Sequence, residues 1–200
     1  MVRLIALSVV FCMLAAAPFA RAEDKKNPIV VIETSLGNIE VQLDSEKAPL
    51  TTKNFMQYVS DKFYDGTVFH RVMSNFMIQG GGFTPDLKEK ETKSTIKNEA
   101  DNGLKNNVGT IAMARLPDPH SASAQFFINV VDNAMLDHRN KTADGYGYCV
   151  FGKVVAGMDV VERIKAVKTG KKNGVIQGQT IPMDDVPLET VTIKSVTEKK

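Results

Sequence analysis

Short apolar bursts with a two-residue period, each cut off by glycine, asparagine or a polar run, constrain this chain more than any other feature. The first is "IVVIETSLGNIEVQL", Ile29 to Leu43. Val30 and Ile32 alternate before Leu36-Gly37-Asn38, and Ile39, Val41 and Leu43 alternate after it, which is a hairpin signal. "FHRVMSNFMIQGGGF" reads as two more strands, Val68–Met73 and Phe76–Gln79, joined at Ser74-Asn75. "GTIAMA" (109–114), "AQFFINV" (124–130), "YCVFGKVV" (148–155) and "ETVTIKSV" (189–196) complete the set. Only two stretches carry helical spacing. One opens at Pro49, holds Phe55, Met56, Val59 and Phe63, and ends by Gly66. The other holds Val160, Val161, Ile164 and Val167 and stops near Gly170. Residues 84–107 are mostly polar and read as a surface excursion, because strand patterns resume after them. Many short strands with two separated helices predict an antiparallel β-barrel or sandwich with helices at its ends, and periodicity does not choose between the two.

The N-terminus is a separate object. Arg3 precedes the apolar run "LIALSVVFCMLAAAPFA", and Ala20-Arg21-Ala22 forms an A-x-A pattern before the polar "EDKKN". This is the layout of a secretory signal peptide, residues 1–22, with a domain over 23–200. The competing membrane-anchor reading is weakened by the short run and by Pro18. A lipoprotein reading would use Cys12, but bulky Phe11 precedes it, and there is no twin arginine. Cleavage would remove Arg3 and Arg21 and no acid, leaving 23 basic and 23 acidic residues. A near-zero net charge leaves no electrostatic footprint for nucleic acid or an anionic membrane. Lys171-Lys172 and Lys199-Lys200 are expected in solvated loop and tail. Cys149 would then be the single cysteine, which excludes an internal disulfide and a thiolate metal cluster. Its neighbours Tyr148 and Val150 suggest a small core residue rather than a catalytic thiol.

The question of chemistry starts with Arg71 and Gln79, two polar residues in an otherwise strand-like run. An arginine there is costly to desolvate without a partner. Strand alternation puts Met77 and Gln79 on one face, and Arg71 joins them if the register allows. A surface arginine in a salt bridge is the plain alternative. His70, His120 and His138 lack metal-ligand spacing, and His70 reads as structural. Ser121 and Ser123 follow His120 without a nucleophile-elbow pattern, which weighs against a hydrolase. Neither "GGG" (80–82) nor "TGKKNG" satisfies a phosphate-loop pattern.

The segments "FHRVMSNFMIQGGGFT", "GTIAMAR", "AQFFINV" and "GYGYCVFGKV" resemble, in order, the signature segments of the cyclophilin-type peptidyl-prolyl cis–trans isomerases. The similarity spans roughly Pro28 to Val196, and "IKNEADNGLKNN" with Tyr148 is similar to the bacterial branch. The resemblance implies a mainly β fold, a closed eight-stranded antiparallel β-barrel capped by two α-helices. It implies isomerisation of X–Pro bonds without a cofactor or metal. Arg71 matches the family's catalytic arginine, and Phe76, Met77 and Gln79 match the pocket and binding residues after it. Ala114 and Arg115 match a groove-lining pair, Phe127 the floor of the proline pocket, and Leu136 a pocket wall. Met135 stands where many eukaryotic members have tryptophan, Tyr148 where they have histidine, and Arg115 where they have asparagine. Ser74-Asn75 replaces their Pro-Gly. The Met135 difference implies weak cyclosporin binding. The implied partners are proline-containing, unfolded or flexible polypeptides, met by a monomer in the periplasm, or outside the cell where there is no outer membrane. A client-binding chaperone using the same groove with little catalysis is the alternative.

Overall fold

The computed structural model describes residues 27–199; the leader expected over residues 1–22 lies outside the described residues. β1 (Ile29–Thr34) and β2 (Gly37–Leu43) form the expected hairpin, with Val30 opposite Val41 and Ile32 opposite Ile39. All four are buried, so each cross-strand pair feeds one core face. The turn falls at Ser35-Leu36, earlier than the glycine suggests. The Thr34 hydroxyl builds it, donating to the Gly37 carbonyl at 2.7 Å and accepting from Leu36 N–H at 3.0 Å.

α1 (Pro49–Ser60) begins at its proline and buries Phe55, Tyr58 and Val59; Phe63 lies past its end. Ala48 cannot cap the helix, and Glu99 does so from across the chain. Its carboxylate accepts from Leu50 N–H (3.1 Å), Thr51 N–H (2.9 Å) and the Thr51 hydroxyl (2.8 Å). That satisfies orphan donors and places negative charge at the helix N-terminus. β3 (Phe69–Met73), β4 (Met77–Gly80), β5 (Thr110–Met113), β6 (Phe126–Asn129) and β7 (Val150–Ala156) follow. α2 (Met158–Lys165) buries Val160, Val161 and Ile164. β8 (Thr169–Ile176), β9 (Gln179–Pro187) and β10 (Ile193–Glu198) close the series.

Eight strands form one sheet in the order β10-β1-β2-β7-β5-β6-β4-β3, with every described pairing antiparallel. The aromatic core lies inside it. Phe55 meets Phe126 edge-on at 5.7 Å, and Tyr64 meets Phe126 at 5.5 Å. The Tyr64 hydroxyl donates to the Ala124 carbonyl at 2.9 Å, so its buried oxygen is paired.

The sheet corrects the expected closed barrel: it is an open, curled half-barrel. Its edges β10 and β3 meet only where they begin, at the bridge Val68–Thr192. Phe69 N–H donates to the Val191 carbonyl at 2.9 Å, and Ile193 N–H to the Thr67 carbonyl at 2.7 Å. Beyond that pinch β3 is flanked by β9 instead. The β8–β9 hairpin is a second sheet that the sequence reading did not contain, and Lys171 and Lys172 lie in β8 rather than in a loop. It docks through a small cluster of Val68, Phe83, Leu87 and Val186, joined by Ile176 and Met183.

Candidate active site

The sheet buries residues on both of its faces around β6, which is why "FFI" reads as a continuous apolar run. Phe126 and Ile128 point into the main core. Phe127 points the other way, into a separate cluster with Met77, Ala112 and Val150, against which Phe76, Ala114, Leu136 and Tyr148 pack. Register brings these together: Gln79 lies opposite Phe127, and Phe127 opposite Ala112. Arg71 lies directly opposite Gln79 on β3, so the two share this face.

The result is a hollow of about 110 Å³ lined by Arg71, Phe76, Met77, Gln79, Ala114, Arg115, Phe127, Leu136 and Tyr148. An apolar cavity of about 150 Å³ accepts benzene, so a five-membered ring is a reasonable occupant by size. Of the site residues that the family resemblance implied, Met135 alone is not on this wall; it is 73% exposed. The hollow opens into a larger groove of about 490 Å³, which shares Gln79, Ala114 and Arg115 and extends past Gln125 to Gln177.

The polar rim is held in defined ways. Gln79 Nε2 donates to Gln125 Oε1 at 2.9 Å. The Gln125 side chain lies so close over Gly82 that a Cβ there would clash with it, which explains one glycine of the triplet. Arg115 is a brace. Its Nε donates to the Gly147 carbonyl at 3.0 Å, Nη1 to Leu116 and Pro117 carbonyls, and its guanidinium lies 4.6 Å from the Tyr148 ring centre. Arg71 is half-exposed, and its Nε lies 3.8 Å from Asp185 Oδ2 on β9.

Behind the apolar walls runs a buried amide chain that the sequence reading missed. Asn133 Nδ2 donates to the Phe76 carbonyl (2.8 Å) and to Asn129 Oδ1 (2.7 Å). Asn129 Nδ2 donates to Asn106 Oδ1 (3.2 Å) and to the Thr110 hydroxyl (2.9 Å). Asn106 N–H donates to Asp137 Oδ1 at 2.8 Å, and its Nδ2 reaches the Tyr148 carbonyl. Tyr148 N–H in turn donates to the Leu136 carbonyl. Phe76, Leu136 and Tyr148 therefore hang from one network.

The remaining candidates fall away from chemistry. His70 is buried against Phe83 at 4.4 Å. Burial holds its pKa down to about 4, and the Arg71 charge adds to this, so it is neutral and structural. Burial pushes the Cys149 thiol up to about 11. Ser121 Oγ donates to the Asp118 carbonyl at 2.6 Å, while His120 Nδ1 accepts from Asn98 N–H at 3.1 Å. Each side chain is engaged elsewhere, and no serine–histidine relay forms between them. Among the described residues there is no group of three or more potential metal ligands, and no helix long and apolar enough to cross a membrane.

Residues 29–198 match the family described as cyclophilin type peptidyl-prolyl cis-trans isomerase. The chain belongs to that family. It is 55% identical over 166 residues to a peptidyl-prolyl cis-trans isomerase of Streptomyces antibioticus, covering 83% of this chain and 95% of that protein. It is 53% identical to peptidyl-prolyl cis-trans isomerase B of Escherichia coli, covering 82% of this chain and 99% of that protein. A crystal structure of a Cryptosporidium parvum cyclophilin shares the fold, with a TM-score of 0.67 at 21% identity over 86% of this chain and 98% of that one. The activity is that of a cyclophilin-type isomerase, acting on proline-containing peptides.

Proposed function

We propose that Arg71 is the catalytic group, that Phe76, Met77, Phe127 and Leu136 hold the prolyl ring, and that the clients are exported polypeptides. The observation that carries this is the half-exposed guanidinium on the rim of the apolar hollow, beside Gln79.

An X–Pro bond turns over in tens to hundreds of seconds because amide resonance sets a barrier of about 18–20 kcal/mol. Rotation breaks that resonance and leaves a lone pair on the prolyl nitrogen. A cation aimed at that nitrogen binds the twisted bond better than either planar form, and only such differential binding accelerates the step. A thousandfold acceleration corresponds to about 4 kcal/mol. One charge-assisted hydrogen bond strengthened on rotation, together with a ring held still, is of that order. Gln79, with the backbone at Ala114 and Arg115, holds the chain on either side, while Tyr148 closes the wall over Phe127 at 5.7 Å between ring centres. The leader pattern of residues 1–22 supports export to the periplasm, or beyond the cell in a source without an outer membrane, and folding assistance there. Met135, exposed and off the hollow, supports weak cyclosporin binding.

The test is Arg71→Ala in a protease-coupled or NMR exchange assay on an Ala-Pro peptide. Turnover is expected to fall about a hundredfold in a folded protein. Near-normal turnover refutes the assignment.

A further inference from the structure

Asp185 has no part in the family signature segments, yet its position is unusual. On β8–β9, Gly170 pairs with Val186 and Lys172 with Met183, so Asp184 and Asp185 together face Lys171 alone. This is a bulge, a device that re-aims a side chain. Asp185 takes φ +59°, a left-handed backbone that aspartate tolerates better than most residues. The two acids consequently part. Asp184 meets Lys171 at 3.2 Å, out in solvent. Asp185 turns to β3 and meets Arg71, its carboxylate on the wall of a shallow hollow beside Met73 and Phe76.

The contact engages Nε of Arg71, not the Nη fork. At 3.8 Å this is an ion pair and not a hydrogen bond: charge draws the Nε side of the guanidinium towards Asp185 and leaves both Nη groups for another acceptor. The side chains are 42% and 37% exposed, so the pair adds little to folding.

We propose that Asp185 is a positioning residue: the bulged hairpin places its carboxylate beside Arg71 Nε, and the ion pair biases the Nη fork towards the prolyl amide. This rests on Arg71 being the catalytic group. A flexible arginine would visit the productive orientation only part of the time, and the ion pair raises that share. The hairpin thereby becomes part of the catalytic apparatus without touching the substrate.

The experiment compares Asp185→Asn, Asp185→Glu and Arg71→Ala, and Asp185→Asn combined with Arg71→Ala, in the full chain, by NMR exchange on an Ala-Pro peptide. Asp185→Asn is expected to lower kcat/KM roughly three- to fivefold, mostly in kcat, with an unchanged melting temperature. Asp185→Glu should recover part of the loss. Raised salt should slow the wild type towards the Asn variant and leave that variant unchanged. In the Arg71→Ala background the Asn substitution should have no further effect. Wild-type or higher activity in Asp185→Asn, or an equal loss with Arg71 already removed, overturns the proposal. Full activity in Arg71→Ala alone would instead overturn the catalytic assignment beneath it.

Discussion

Two walls meet at the Arg71–Gln79 pair, and they are built on opposite principles. The pocket wall of β4, β6, β7 and residues 134–137 is held by amides that are almost wholly buried: Asn106 is 1% exposed, Asn129 0% and Asn133 1%. The hairpin wall of β8–β9 meets the site through a half-exposed ion pair, Arg71 with Asp185, while Lys171 and Asp184 pair with each other within the hairpin, out in solvent. Breaking a buried hydrogen bond costs about 1–3 kcal/mol for each group left unpaired, whereas an exposed ion pair contributes about 1 kcal/mol or less. The shape of the ring slot is thus tied to stability, and the aim of the cation is not. A molecule built this way can tune the arginine proposed as catalytic without risking its core.

The hairpin side has one buried exception, and it offers the largest effect. His70, next to Arg71 on β3, packs at a tilt against Phe83, which belongs to the cluster that docks the hairpin. Its pKa falls from 6.5 unfolded to about 4 folded. The unfolded chain therefore binds a proton that the native chain refuses, and stability falls as pH drops through this window. The loss should reach roughly 3 kcal/mol by pH 4, and none is due to His70 above pH 7.5. Urea unfolding at pH 7.5 and 4.5, wild type against His70→Gln, isolates it. A parallel acid loss in both proteins would show that His70 is not the buried anchor of the hairpin side.

Much of this was legible in advance, and the gaps have physical causes. The β1–β2 hairpin shows a period-two pattern because one face is buried, and β6 a continuous apolar run because both are. "FHRVMSNFMIQ" puts Met77 and Gln79 on one face and leaves Arg71 to the register, which sets it opposite Gln79. The β8–β9 hairpin was invisible because "TGKKNGVIQGQTIPMDD" has almost no apolar face and contains Pro182. Its one local signal is Gln177-Gly178, both at positive φ, the two-residue turn that matches strand twist. The closed barrel failed because β9, not β10, flanks most of β3, and nothing local to either edge records that. The asparagine chain and Asp185 act through partners far away in sequence, with Asn133 reaching across 57 residues to Phe76.

The next effect down tests the pocket wall itself. Asn133→Ala leaves the Asn129 Oδ1 acceptor without its donor and removes one of two donors to the Phe76 carbonyl, the other being Val130 N–H. A cost of about 2 kcal/mol is expected, or a melting temperature lower by roughly 4–8 °C. KM should rise with it, because Phe76 is no longer fixed against the ring. A variant that melts normally and binds normally would mean that packing alone holds the wall, and the contrast between the two sides would shrink.

Lys171→Ala is the smallest effect and the sharpest control. Lys171 shares the bulge with Asp185 but pairs with Asp184, with side chains 84% and 66% exposed. Removing it should move the melting temperature by less than about 2 °C and leave kcat/KM at the wild-type value. If the two neighbours do separate jobs, losing the outer pair leaves the inner one aimed. If kcat/KM falls as far as in Asp185→Asn, the hairpin acts as one body and its ions are not individually assigned. The comparison between a wall fixed by buried amides and a wall adjusted by single surface charges would then have to be given up.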